Sequence, residues 1–110
     1  MKRIAASAAA LVLVLLLASP SNGGAAGVRV VKIEDIDFTP KAVTVRKGTT
    51  VRWDFLDEGV SHNVISRGSP RFSGSPVKSR GSFRTTFRKP GTYRYVCTLH
   101  PGMDGRVVVR

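Results

Sequence analysis

The stretch Gly91–Met103, "GTYRYVCTLHPGM", joins the pattern of a β-strand to a cluster of side chains that bind soft metals. Tyr93, Tyr95 and Cys97 lie two residues apart, so all three share one face of a strand, which we predict to span Thr92–Cys97. An inward-facing tyrosine at the start of a strand, just after a Pro-Gly turn, is typical of the tyrosine corner of Greek-key sandwiches. The stretch therefore predicts a β-sandwich with metal ligands at one end.

The same alternation recurs along the chain from Val28 onward, with Gly, Pro and Ser between the runs and no amphipathic helical period. The other predicted strands are Val28–Ile36, Ala42–Arg46, Thr50–Leu56, Ser61–Ser66, Ser82–Phe87 and Gly105–Arg110. Residues 67–81 are dense in Gly, Ser, Pro and Arg and are predicted to form a long irregular loop, with a brief edge strand near Val77. About seven short strands in one small domain predict an all-β fold, a Greek-key β-sandwich with Trp53 in its core.

The N-terminus has the three parts of a secretory signal: basic Lys2 and Arg3, an apolar run over Ile4–Ala18, and an exit rich in small residues. The apolar run is shorter than the roughly 20 residues of a membrane-spanning helix. We predict a signal helix within residues 1–26, cleaved near Ala26, with retention as an N-terminal anchor as the alternative. Residues 27–110 then form one domain, exported to the periplasm, the cell envelope or the extracellular space.

Basic residues dominate the charge of the chain, whose formal net charge is +11. Without Lys2 and Arg3, 16 basic and 7 acidic residues leave a charge of +9 on the predicted domain. No acidic residue occurs between Arg67 and Arg94. This charge favours acidic partners or contact with an anionic envelope surface, although most of the residues taken singly need only maintain solubility. Export and the lack of an RNA-binding motif or basic helix argue against nucleic acid.

Cys97 is the only cysteine of the chain, so an internal disulfide is impossible. His100 and Met103 follow it at spacings of three and three, and the only other histidine is His62. A thiolate, imidazoles and a thioether are the ligand set that favours copper, and two His, one Cys and a weak axial Met make blue-copper electron-transfer sites. A bound metal would also help to stabilise so small a domain.

Two other chemistries use cysteine and histidine. A structural zinc site needs four Cys or His ligands, which one Cys and two His do not supply. A cysteine nucleophile paired with His100 is the second alternative, but the sequence offers no orienting third residue and no oxyanion motif. The close spacing on one loop suits chelation better than catalysis.

Gly91–Met103 and the upstream His62-Asn63-Val64 together resemble the plastocyanin and amicyanin branch of the cupredoxins, the type 1 copper proteins. The resemblance covers essentially the whole of residues 27–110, including Phe38-Thr39-Pro40 and the approach to the Trp53 strand through Val43-Thr44-Val45. The short Cys-x-x-His-x-x-Met loop is most similar to that of amicyanin. The resemblance implies a cupredoxin-like domain that binds one type 1 copper ion.

The resemblance also implies a role for each site residue. His62, Cys97 and His100 would bind copper strongly, and Met103 would be the weak axial ligand. Asn63 would tie its strand to Thr98, beside the ligand cysteine. The edge of the His100 ring would be the exit of the electron, and docking would use an uncharged patch of Leu99, Pro101 and Gly102, with Val60 nearby.

The function implied is electron transfer outside the cytoplasm, with copper cycling between Cu(I) and Cu(II) and with acidic redox proteins as partners. We expect a monomer. We do not expect an enzyme, because a copper ion with all positions filled leaves no place for a substrate. The alternative is an envelope protein that binds or delivers copper with the same ligands.

Overall fold

The structure is a computed structural model, and it describes residues 27–110. The predicted signal helix and its cleavage site lie outside the described residues. Eight strands make up the domain: β1 (Val28–Glu34), β2 (Asp37–Thr39), β3 (Ala42–Val45), β4 (Thr49–Phe55), β5 (Ile65–Arg67), β6 (Ser82–Phe87), β7 (Gly91–Val96) and β8 (Asp104–Val109). No helix among the described residues is long and apolar enough to cross a membrane.

The strands form two four-stranded sheets, with orders β2-β1-β4-β6 and β3-β8-β7-β5. β1 pairs with β4 in parallel and β3 with β8 in parallel, and the remaining pairs are antiparallel. From β2 to β7 the chain changes sheet at each successive strand, so each sheet also joins strands that are distant in sequence. The predicted all-β sandwich is confirmed for residues 27–110.

Two predicted strands have different bounds in the structure. The first ends at Glu34 because Asp35 and Ile36 turn the chain with φ of 55° and 54°, and Asp37–Thr39 then pairs back as an additional strand. The strand predicted at Ser61–Ser66 is wrong in position, since the ladder covers only Ile65–Arg67.

The segment ahead of β5 bonds to the basic loop rather than to a sheet. His62 forms an isolated bridge with Lys78, and Val64 N–H donates to the Ser75 hydroxyl at 2.8 Å. The edge strand predicted near Val77 is reduced to that single bridge. These bonds satisfy the backbone of the segment without a regular strand.

The core lies between the two sheets, and Trp53 is its centre, with 0% of its surface exposed. Phe72, in the irregular loop 67–81, stacks on the indole at 5.9 Å with 4° between the ring planes. Ring contacts of this kind stabilise beyond the area that they bury. The loop is therefore anchored to the core by one aromatic side chain.

The two tyrosines of β7 have different surroundings. Tyr93 Oη donates to the carbonyl of Lys89 at 2.8 Å, which confirms the tyrosine corner. Tyr95 Oη is buried without a hydrogen bond of standard geometry, although the Trp53 indole approaches it, and burial raises the pKa of Tyr95 to about 12. Gly105 leaves room for this phenol, because a Cβ there would lie 2.6 Å from Tyr95 Cζ and Oη.

Candidate metal centre

Three predicted ligands meet at one end of the sandwich. His62 precedes β5, Cys97 follows β7 directly, and His100 lies on the loop between β7 and β8. One ligand atom from each residue lies within 4.8 Å of the others. His62 is 0% exposed and Cys97 is 3% exposed, while His100 is half-buried. Strands distant in sequence thus bring a thiol and two imidazoles to one point.

The loop from Cys97 to Met103 is closed by its own backbone. Cys97 N–H donates to the Met103 carbonyl at 2.9 Å, and Met103 N–H donates to the His100 carbonyl at 3.1 Å. Gly102 has φ of +85°, a conformation that glycine adopts without steric cost. Met103 is buried to 3% exposure at the end of the loop. The spacing of three and three therefore forms a compact turn, with Met103 buried at its end.

His62 is held by its neighbours on both sides. Its backbone N–H and C=O exchange bonds of 2.9 Å with Lys78. Next to it, the Asn63 side chain donates to Thr98 Oγ1 at 2.8 Å and accepts from Thr98 N–H at 2.8 Å. This reciprocal pair joins the two segments that carry the candidate ligands, and the resemblance to the cupredoxins implied such a contact between Asn63 and Thr98.

The rings of both histidines are oriented by oxygen acceptors. His62 Nε2 donates to Asp57 Oδ2 at 2.8 Å, and His100 Nε2 donates to the carbonyl of Ser61 at 3.1 Å. A carboxylate and a carbonyl only accept, so these bonds use a proton on Nε2, and in the neutral tautomer that makes them Nδ1 has the lone pair that a metal needs. In His62 that Nδ1 lies 3.7 Å from Cys97 Sγ.

Asp57 is the functional residue that sequence reasoning missed. Besides His62, its carboxylate accepts from the backbone N–H of Ile36 at 2.8 Å and of Asp35 at 3.1 Å. These bonds, the one from Ile36 first and that from His62 next, hold the pKa of Asp57 below its usual value. An acidic residue five positions before a candidate ligand was the available signal, but only the fold shows that it reaches the ring.

The residues fit a copper ion in donor type and in the distance between the Cys97 and His62 donor atoms. Bonds of about 2.0 Å to nitrogen and about 2.3 Å to sulfur, about 120° apart, would separate the two donor atoms by about 3.7 Å. The Cys97 Sγ to His62 Nδ1 distance is 3.7 Å. The donor set of one thiol, two imidazoles and a buried thioether is that of blue-copper sites. A zinc site would lack its fourth Cys or His among the described residues.

The predicted docking patch lies on the surface around the ligand loop. Leu99 is 44% exposed, and Pro101 and Gly102 are exposed beside the half-buried His100. An exposed leucine flanked by two uncharged residues provides a small apolar surface within one loop of the metal ligands.

The fold and this donor set define a small copper-binding β-sandwich, and the comparisons with known proteins agree. The sequence model of the copper-binding proteins of the plastocyanin/azurin family matches residues 25–110, so the chain belongs to that family. The chain is 36% identical to amicyanin-alpha of Methylorubrum extorquens over 76% of this chain and 73% of that protein. It is 34% identical to plastocyanin of Prochlorothrix hollandica over 90% of this chain and 85% of that protein.

Solved structures agree with the sequence relatives. An amicyanin variant in its Cu(I) form is 32% identical, with a TM-score of 0.68 over 76% of this chain and 82% of that one. The cupredoxin family predicted from the sequence is confirmed.

Proposed function

We propose that this protein is an exported electron carrier that uses one copper ion held by His62, Cys97, His100 and, more weakly, Met103. The observation that carries the proposal is the convergence of Cys97 Sγ and the two imidazoles within 4.8 Å at a buried position. When bound, copper supplies one-electron chemistry by cycling between Cu(I) and Cu(II). This function requires neither a substrate nor a catalytic residue, and the protein is not an enzyme.

The chain's own contribution is a ligand geometry that is held before the metal arrives. Asp57 orients the ring of His62, the Ser61 carbonyl orients that of His100, and backbone bonds close the loop from Cys97 to Met103. Such outer contacts keep ligands in place and tune the metal. A site that does not rearrange between oxidation states transfers electrons with little geometric cost.

The partners would be redox proteins that dock on the patch of Leu99, Pro101 and Gly102, with acidic surfaces facing the basic charge of this chain. We expect the protein to work as a monomer. Salt screens the attraction between exposed charges, so the association rate with such a partner should fall as ionic strength rises. Rates that do not respond to salt would contradict the electrostatic part of the proposal.

Export rests on the N-terminal sequence, whose basic start, apolar run and small-residue exit are those of a secretory signal. The periplasm, the envelope or the extracellular space would each suit a protein whose thiol is buried and held for a metal. Mass spectrometry of the protein from its own cells would show whether residues 1–26 are removed. An intact N-terminus on a cytoplasmic protein would contradict export.

The test of the copper site is the visible spectrum of the purified domain after addition of Cu(II). We expect an intense blue or green charge-transfer band, because a copper–thiolate bond produces one and imidazoles alone do not. Cys97→Ser should abolish the band, whereas Leu99→Ala, on the same loop but exposed, should keep it. A pale, ordinary Cu(II) spectrum in the unchanged protein would overturn the proposal.

Copper delivery is the alternative that the same ligands allow. A delivery protein should surrender Cu(I) to a competing chelator within its working time, whereas a carrier should hold it through many redox cycles. The burial of His62 and Cys97 favours the carrier. Repeated oxidation and reduction in the presence of a Cu(I) chelator distinguishes the two functions.

A further inference from the structure

Three arginines lie in a row on the outer face of the second sheet. Arg67 of β5 is directly opposite Arg94 of β7, and Arg94 is directly opposite Arg106 of β8. Their neighbours Ser66, Tyr95 and Gly105 face the core, so the three side chains face outward, and all three are exposed. Residues directly opposite one another in an antiparallel pair have Cβ atoms about 5 Å apart. We call these three residues the arginine row.

The charge of the arginine row is compensated only in part: Asp104, whose pKa is lowered first by its hydrogen bond with Lys41, also interacts electrostatically with Arg106. None of the three arginines lies within 4.0 Å of a carboxylate among residues 27–110. Asp104, the acidic residue in the adjacent row of this face, is paired instead with Lys41 at 2.9 Å. The face therefore keeps most of the positive charge of the three guanidinium groups.

The first sheet also contains a pair of arginines that face each other, but there a carboxylate binds one of them. Arg52 of β4 is directly opposite Arg84 of β6, but Arg52 donates to both oxygens of Asp54, at 2.7 and 3.1 Å. Like charges directly opposite one another destabilise a sheet. In the arginine row, Arg67 and Arg94 bear that cost without a carboxylate partner and Arg106 has only a carboxylate beyond 4.0 Å, which points to a role outside the folded domain.

The arginine row also adjoins the ligand loop. A surface depression is lined by Arg67 together with Cys97, Pro101, Gly102 and Met103. Arg67 also lines a second depression, with Arg94, Arg106 and Lys41, and Asp104 lines both depressions. The row is thus continuous with the uncharged docking patch and with the surface above two of the candidate copper ligands.

We propose that the arginine row is the docking surface for a carboxylate-rich face of an acidic redox partner protein. The proposal rests on the electron-carrier function and deepens it, because it assigns partner binding to three of the many basic residues. Guanidinium groups bind carboxylates through two parallel hydrogen bonds, and a row of them fits carboxylates presented in line. A partner bound there would cover the depression beside Cys97 and the uncharged patch together.

The position of the arginine row favours a protein partner over an anionic membrane. Basic residues anywhere on the surface, including Lys32 and Arg84 on the first sheet, would bind anionic lipid headgroups equally well. Only a partner that exchanges electrons gains from contact next to the metal ligands.

The test uses the Cu(I)-loaded protein, labelled with ¹⁵N, and a hexaglutamate peptide as the probe. One variant carries Arg67→Gln, Arg94→Gln and Arg106→Gln. The matched control carries Lys32→Gln, Arg84→Gln and Arg88→Gln, which removes the same charge from exposed positions outside the second sheet. Relief of repulsion should leave the first variant folded, with a melting temperature equal to or above that of the unchanged protein.

Amide shifts on adding the peptide should concentrate at the arginine row and Val96, and 0.5 M salt, on the order of a 4 Å Debye length, should remove them. The apparent affinity should fall at least about fivefold in the arginine-row variant and less than about twofold in the control. Equal losses in both variants, or shifts spread over both sheets, would overturn the proposal in favour of general charge attraction.

Two further measurements separate the outcomes. Phosphatidylglycerol vesicles that bind through the same residues more tightly than the peptide would overturn the protein partner and assign the row to the membrane. The visible spectrum of each variant after oxidation reports the copper site independently. Loss of the blue-copper band together with peptide binding at the arginine row would contradict the proposed function but not this inference. An intact band without localised peptide binding would contradict this inference but not the proposed function.

Discussion

Asp57 and His62 form a carboxylate–imidazole pair that orients a buried candidate ligand: Asp57 Oδ2 accepts from His62 Nε2 at 2.8 Å, while Nδ1 of the same ring lies 3.7 Å from Cys97 Sγ. The carboxylate is itself held by two backbone N–H groups of the turn between β1 and β2. That turn includes Ile36 at φ of 54°, a strained conformation for a β-branched residue. A hairpin turn is thereby linked through one carboxylate to the candidate metal centre.

Replacement of this carboxylate by the isosteric amide in Asp57→Asn should weaken Cu(II) binding about 10–100-fold, because the ring loses its anionic partner. The reduction potential should rise, since a negative charge beside the ligand stabilises Cu(II) more than Cu(I). Competition titrations and voltammetry measure the two effects. Glu58→Gln, an exposed neighbouring carboxylate, is the control and should change neither quantity. An unchanged potential in Asp57→Asn would show that the pair only supports the fold.

Removal of the Asn63 side chain should loosen the contact between the two ligand-bearing segments. Asn63→Ala loses both hydrogen bonds to Thr98 and should lower the free energy of unfolding of the apoprotein by about 2 kcal/mol. Thr98→Val loses only the bond to its hydroxyl and should cost about 1 kcal/mol. Urea unfolding of both variants measures the difference. Equal costs would mean that the bond from Thr98 N–H contributes nothing.

The two buried tyrosines of β7 should respond differently to loss of the hydroxyl group. Tyr93→Phe removes the bond to the Lys89 carbonyl and should cost about 1 kcal/mol of unfolding free energy. Tyr95→Phe removes a buried hydroxyl without a partner among the described residues and should be neutral or slightly stabilising. Thermal unfolding of the pair tests this, and a larger loss in Tyr95→Phe would show that the indole of Trp53 is a true partner.

Gly105 should tolerate no side chain. A Cβ there would lie 2.6 Å from Tyr95 Cζ and Oη and 2.9 Å from the Lys41 carbonyl, so Gly105→Ala should cost about 1–3 kcal/mol. The control is Gly27→Ala, where no atom lies within 4 Å of the new methyl group. Chemical denaturation of the two variants compares them. A Gly105→Ala protein as stable as the control would mean that the sheet yields there.

The amino-acid sequence determined the features that depend on local chemistry. Period-2 alternation predicted six of the eight strands, since side chains of a strand point alternately to two faces. It missed β2, whose Phe38 is in the core, and misplaced β5. Cys97, His100 and Met103 lie within one short loop, so their convergence follows from the turn itself. Strand ends were less predictable: the first strand ended at Glu34 because of positive φ values at Asp35 and Ile36, and a β-branched residue such as Ile36 gives no signal for that conformation.

Tertiary structure decided the features that depend on register and on contacts between distant segments. His62 reaches Cys97 across 35 residues because Lys78 and Thr98 hold its segment in place, and Asp57 reaches His62 because the β1–β2 turn binds its carboxylate. The arginine row exists because β5, β7 and β8 pair in one register, and a slip of one residue would turn a strand's side chains to the other face. The local sequence pattern determined the candidate ligands and most of the strands, while packing between the sheets determined how those segments are aligned with one another.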